Sequence, residues 1–160
     1  EAMALLPGVE AVLVGEALFQ EEQRYAQQLR ERAAQPDLRG RVHFLGFRED
    51  VPVLMQVVDV VVHTSVAPEP FGRVIVEGML ARRPVIATKA GGALEIVRPG
   101  KTGLLVPPGD AQALARAIQY LLMHPNEAHQ LAQAAYKDAC TRFSLEAMQA
   151  AVGHAVSSCL

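Results

Sequence analysis

Cysteine is scarce: Cys140 and Cys159 are the two in 160 residues, both late and in helical context. Two such thiols make neither a disulfide framework nor a metal cluster, and free thiols in a reducing cytoplasm are the expected state. An excess of charge of one sign is lacking too. With 15 Lys+Arg against 17 Asp+Glu the formal net charge is −2, which gives no electrostatic footprint for nucleic acid or an acidic membrane surface. No apolar run approaches the roughly 20 residues of a membrane span, and no charged-then-apolar leader opens the chain. The histidines His43, His63, His124, His129 and His154 are scattered without metal-ligand spacing. Of these, His63 ends a predicted strand, where open α/β sheets bind ligands; as a lone histidine it reads as structural. Internal repeats, low-complexity tracts and interdomain linkers are absent. What remains, 51% hydrophobic and 20% charged, fits one globular domain over 1–160 with a proper core. An opening at Glu1 rather than Met suggests that the natural chain starts further upstream.

Short strands and helices alternate along the chain. Glu1 to Leu6 reads as the tail of a helix ended by Pro7-Gly8, and Glu10 to Gly15 as a buried strand stopped by glycine. A helix from about Phe19 to Ala34 has Tyr25 and Leu29 on its inner face. Arg41 to Phe47 is the next strand, and Asp50 caps a short helix through Val57. Asp59-Val60-Val61-Val62-His63-Thr64-Ser65 is β-branched and nearly all apolar, as a parallel strand covered on both faces reads. Pro84 to Thr88 and Thr102 to Val106 are further strands. Asp110 caps a helix whose Leu114, Ala117, Ile118, Leu121 and Leu122 follow helical spacing. Helices from about Asn126 to Thr141 and from Ser144 to about Ser157 close the chain. Such alternation predicts right-handed βαβ units and a parallel sheet.

The segment Glu69-Pro70-Phe71-Gly72-Arg73-Val74-Ile75-Val76-Glu77-Gly78-Met79 concentrates the chemistry. Two prolines, Pro68 and Pro70, fix the loop path, and helical spacing begins near Phe71, with Val74, Ile75, Met79 and Leu80 on one side. A helix start presents N–H groups without intrahelical partners at the positive end of its dipole, so Gly72, Arg73 and Val74 can offer amides to a phosphate. A carboxylate accepts hydrogen bonds in pairs, which vicinal sugar hydroxyls supply, so Glu69 and Glu77 could grip the two sugars flanking a diphosphate. Gly78, inside the helix, marks a close approach. Taken singly, Glu69 reads more readily as a solvated loop acid and Glu77 as an i,i+4 partner of Arg73. The loop Lys89-Ala90-Gly91-Gly92 lets backbone lie against a ligand or is an ordinary strand-to-helix turn. Gly100-Lys101-Thr102 is no P-loop, because Glu95 stands where a glycine is required and a strand follows.

These motifs in order, with Arg83-Pro84-Val85-Ile86-Ala87-Thr88, Gly91-Gly92-Ala93-Leu94-Glu95-Ile96-Val97 and Gly103-Leu104-Leu105-Val106-Pro107-Pro108-Gly109-Asp110, resemble the C-terminal half of a retaining GT-B glycosyltransferase. The resemblance runs from about Val9 to Leu122. It implies an α/β fold, a Rossmann-like doubly wound parallel sheet, and donation of sugar from a nucleotide-diphosphate sugar with retention and without an essential metal or cofactor. By similarity Glu69 would be the catalytic-site acid holding hydroxyls of the transferred sugar, and Glu77 would hold the ribose. Phe71, Gly72, Arg73 and Val74 would line the sugar and diphosphate, Gly46, Phe47 and Arg48 would cradle the base, and Gly91 and Gly92 would face the same cleft. In the family an arginine and a lysine after the domain's first strand stabilise the leaving diphosphate. Here Arg73 and Lys89 are nearby cations outside those positions, and the Glu10 strand matches the second strand of the order 3-2-1-4-5-6.

The expectation is therefore a sheet lacking its first strand, in a fragment of a two-domain enzyme or an intertwined homodimer whose other copy fills the seam. The N-terminal acceptor domain would be the missing partner. Such a chain alone should bind donor weakly and transfer nothing, and the whole protein would be cytoplasmic, peripheral to a membrane through the missing part. A sugar-nucleotide epimerase of the same fold and a non-catalytic interaction module are the alternatives.

Overall fold

The computed structural model describes residues 1–157; Cys159 lies outside them. The chain divides into two compact units, Glu1–Val51 and Pro52–Leu160.

The first unit opens with a 3-10 turn, Ala2–Leu5, rather than the tail of an α-helix. A βαβ unit follows: β1 (Ala11–Leu13), α1 (Gln20–Ala33) and β2 (Val42–Phe44), with β1 and β2 parallel and Val12 opposite His43. α1 starts without a side-chain cap from Phe19, which has no acceptor to offer; the Glu22 carboxylate reaches back to the amides of Leu18 and Phe19 at 2.9 and 3.2 Å. Tyr25 is 62% exposed, so it does not pack inward with Leu29 as its spacing suggested. It lines an open cavity of about 630 Å³ with Leu13, Gly15, Glu16, Leu29 and Phe44. Polar bonds join the turns of this unit around the buried Ala2, Leu6 and Leu38. The Arg41 guanidinium donates to the carbonyls of Leu6, Val9, Met3 and Asp37 at 2.8, 3.0, 3.1 and 2.5 Å.

The second unit carries α2 (Val51–Val57, its first residue at the boundary), β3 (Val61–His63), α3 (Arg73–Leu80), β4 (Val85–Thr88) and α4 (Ala93–Ile96). β5 (Leu104–Val106), α5 (Ala111–Met123), α6 (Pro125–Arg142) and α7 (Leu145–Ser157) complete it. The strands form a parallel sheet in the order β3-β4-β5. β4 is central and all four of its residues are buried, as an apolar Val-Ile-Ala-Thr run predicts.

α3 buries Ile75, Val76 and Met79, whereas Val74 and Leu80 are 40% and 45% exposed, so its inner face is rotated from the predicted one. Gly78 has a structural cause: a Cβ there would lie 3.0 Å from both Val61 Cγ1 and Val85 Cγ2, so the close approach is that of α3 to its own sheet. α5 buries Ala115, Ile118 and Leu121 while Leu122 turns outward at 39% exposure. α6 packs an alanine-rich face, Ala128, Ala132, Ala135 and Ala139, with little side-chain entropy lost. Each fully buried Ile, Leu or Met here contributes about 1.5–3 kcal/mol.

β1 and β3 share no ladder. Each unit has parallel strands joined through helices, β2-β1 in one and β3-β4-β5 in the other, so the α/β, Rossmann-like class expected from the sequence is the observed one.

Candidate functional site

In the second unit the site gathers at the carboxyl ends of β3 and β4, where parallel sheets bind ligands. β3 ends at His63, and the following loop is turned by a bond from Ser65 Oγ to the Ala67 carbonyl, 3.1 Å. Pro68 and Pro70 fix its path at two points. Gly72 then takes φ 91° and ψ 56°, a left-handed conformation that a β-carbon would strain, and α3 starts at Arg73. This is two residues later than helical spacing alone placed it. No side chain caps the start, the Ile75 amide is satisfied by the Gly72 carbonyl at 3.0 Å, and Arg73 and Val74 are exposed. Gly72 itself is buried, and the two residues that lead this eight-residue helix are exposed.

The loop after β4 packs against the one after β3. The Gly92 amide donates to the Glu69 carbonyl at 2.8 Å. A Cβ on Gly91 would sit 2.3 Å from the Glu69 carbonyl oxygen, and one on Gly92 would sit 2.3 Å from that of Phe71. Both glycines therefore have a structural cause: their bare surface is taken up by the loop that carries Glu69. The far side of α4 is held by Arg142, which donates to the carbonyls of Glu95 and Ile96 at 2.6 and 3.2 Å while pairing with Asp138. Phe71 meets Phe143 edge to face at 5.8 Å and keeps 47% of its surface open.

Glu69 and Glu77 differ in their partners. Glu77 forms the i,i+4 pair with Arg73 at 3.0 Å, with side-chain exposures of 36% and 83%. An exposed helix pair of this kind is worth about 0.3–0.5 kcal/mol, so it yields readily to a better ligand. Glu69 Oε2 lies 3.1 Å from Nε2 of His63, a side chain only 10% exposed. That contact has ion-pair distance without hydrogen-bond alignment, since both ring nitrogens of His63 are buried with no bonded partner. From the sequence alone His63 reads as structural. The signal that could have singled it out is its place as the last residue of the strand, six before the acid.

The first unit holds Gly46, Phe47 and Arg48, just past the carboxyl end of β2. The Gly46 carbonyl accepts from the Gly15 amide at 2.9 Å, and Phe47 is 68% exposed. Arg48 is engaged with both carboxylate oxygens of Asp50 at 2.8 and 2.6 Å. That bonding holds the Asp50 carboxyl below its ordinary range. A second cavity, of about 230 Å³, lies among Asp59, Arg82, Arg83, Leu121 and His129, and none of the predicted site residues lines it.

The family model for glycosyl transferases group 1 matches residues 1–138. The chain belongs to that family. A lipopolysaccharide core biosynthesis glycosyltransferase, LpsE of Rhizobium meliloti (strain 1021), is 35% identical over 148 residues, 92% of this chain and 42% of that protein. Anabaena Alr3699/HepE, solved in complex with UDP and glucose, is 45% identical with a TM-score of 0.92, covering 98% of this chain and 43% of that one. The C-terminal domain of a group 1 family protein (LpcC) from Francisella tularensis is 28% identical with a TM-score of 0.80 over 90% of this chain and 76% of its own. This group 1 chain thus spans about two fifths of the length of the first two relatives and corresponds to a C-terminal domain of the family. No helix among the described residues is long and apolar enough to cross a membrane.

Proposed function

We propose that this chain is the donor-binding half of a retaining glycosyltransferase, and that it takes a nucleotide-diphosphate sugar at the carboxyl ends of β3 and β4. The observation that carries the reading is the uncapped start of α3, with Glu69 before it and Glu77 within it, in a chain of the group 1 family. In this reading the amides of Gly72, Arg73 and Val74 meet the diphosphate, where a helix start favours negative charge. Glu69 accepts from hydroxyls of the transferred sugar. Glu77 exchanges Arg73 for the vicinal hydroxyls of the ribose, and the weakness of that surface pair makes the exchange inexpensive. Phe71 covers the sugar, while Gly91 and Gly92 act by setting the path of the Glu69 loop.

Fixed amides and cations stabilise the charge that develops as the sugar leaves, and no metal or cofactor is required. The rest of the polypeptide supplies the acceptor site and the missing first strand; exchange of that strand between two copies is the alternative. The whole protein works in the cytoplasm, peripheral to the membrane through its remaining part, in keeping with an exposed free thiol at Cys140.

The base is the point on which relatives give a lead, since HepE was solved with UDP and with UDP-glucose. Calorimetric titration of the full-length protein with uridine, guanosine and adenosine diphosphates, followed by a mass-spectrometric donor screen, tests the reading. Saturable binding of one nucleoside diphosphate, weakened about tenfold or more by Glu77→Ala, is expected for the loss of a paired ribose contact. Absence of binding to all three would leave a non-catalytic module of the same fold.

A further inference from the structure

We propose that His63 is a positioning residue for the Glu69 carboxylate, and that through it the sheet sets the affinity for the sugar of the donor. The inference rests on the reading of Glu69 as the acid that meets that sugar. His63 is the last residue of β3, and its Cα partner is Ala87 on buried β4. Its carbonyl accepts from Thr88 Oγ1 at 3.2 Å, which ties the strand end to its neighbour. The ring therefore projects from a rigid mount. Glu69, by contrast, stands on a loop with 45% of its side chain open to solvent.

Both ring nitrogens of His63 are enclosed and lack a bonded partner, and a buried polar group left unmade is costly enough to need an explanation. A core histidine with a purely structural role would be expected to have one nitrogen on a carbonyl or hydroxyl. Here the Glu69 carboxylate stands 3.1 Å from Nε2 and out of line. Hydrogen bonds at binding sites are often misaligned in the free protein and tighten in the complex. A small turn of the half-exposed carboxylate lets Nε2–H donate to one Glu69 oxygen, leaving the other free to accept from sugar hydroxyls. Nothing in this scheme touches the diphosphate or the base, so the effect is confined to the sugar.

The test uses the full-length enzyme, titrated with UDP and with UDP-glucose and assayed for turnover. His63→Leu should weaken UDP-glucose by about fivefold or more, the loss of one charge-assisted contact, while UDP stays within about twofold. His63→Gln, whose amide reaches near the position of Nε2, should recover most of the loss. In a double-mutant cycle His63→Leu should add nothing to Glu69→Ala. Equal weakening of both ligands, no weakening of either, or independent addition of the two losses would overturn the assignment. Should His63→Leu fail to fold, His63→Asn takes its place, because its amide is too short to reach Glu69; equal sugar affinity in the Asn and Gln variants would then overturn it. Failure of the underlying reading looks different: Glu69→Ala itself would leave UDP-glucose binding unchanged.

Discussion

In residues 52–160 the central strand β4 is buried along its whole length, with Ile75 and Met79 of α3 fully enclosed above it. In residues 1–51 no residue of β1 or β2 is buried, and a guanidinium reaching four carbonyls does the joining. A three-stranded sheet flanked by helices can remove side chains from water on both faces, whereas two strands and one crossover helix cannot. The apolar half can therefore carry an exposed loop on its rim, and Glu69 stands there. The other half has a smaller apolar core, Ala2, Leu6 and Leu38, and leans more on directional bonds, each of which fails when one atom is removed.

The sharpest way to break this contrast is to cut each half at its own support and follow protection by native-state hydrogen exchange, which reads the two halves separately. Ile86→Ala, at a fully enclosed position of β4, should cost about 3–4 kcal/mol, seen as lost protection of Val85–Thr88. Arg41→Ala should cost about 2–3 kcal/mol and expose Val42–Phe44, because several carbonyls lose a charged donor together. A larger effect from Arg41→Ala than from Ile86→Ala would reverse the comparison.

Smaller effects sharpen it at the helix starts. α5 is capped through Asp110 Oδ1, which accepts from the Ala113 amide at 2.8 Å, so Asp110→Ala should lose about 1 kcal/mol in chemical denaturation. The smallest effect is acid sensitivity. Bonding to Arg32 holds the carboxyls of Asp37 and Glu1, in the first unit, below their ordinary values of 3.8 and 4.5. A carboxyl depressed on folding stabilises the native state above its unfolded value, and that contribution fades as pH falls from there through the folded value. Protection of β1 and β2 should therefore begin to fall below about pH 4.5 before that of β4, and Asp37→Asn should flatten the slope. An unchanged slope would separate the pair from stability.

Much of the architecture was legible along the chain. The Val-rich run before His63, the prolines of the following loop and the cap at Asp110 are local signals, and each marks an element that the structure contains. Their edges moved, because a strand ends where its ladder ends: β3 is the three residues Val61–His63 that face Val85–Ala87, not the seven of the apolar run. Helical spacing identified α3 yet misjudged its inner face, since the position of β3 and β4 beneath it selects Ile75, Val76 and Met79. Tyr25 fared likewise, an aromatic at the right interval on α1 with no second layer over it in its own unit.

Composition and pattern by themselves determined the class, the order of the elements and the strand-loop-helix segment with two acids, because periodicity and turn chemistry act between near neighbours in sequence. Only the tertiary structure decided what each of those residues touches. Gly91 and Gly92 proved to make room for the backbone of Glu69 and Phe71, Gly78 for Val61 and Val85, and Arg142 to hold the carbonyls of α4 from 46 or 47 residues away. The meeting of His63 with Glu69 is of the same kind. It arises from a strand end and a returning loop, and the carboxylate's final direction depends on packing that no stretch of seven residues encodes.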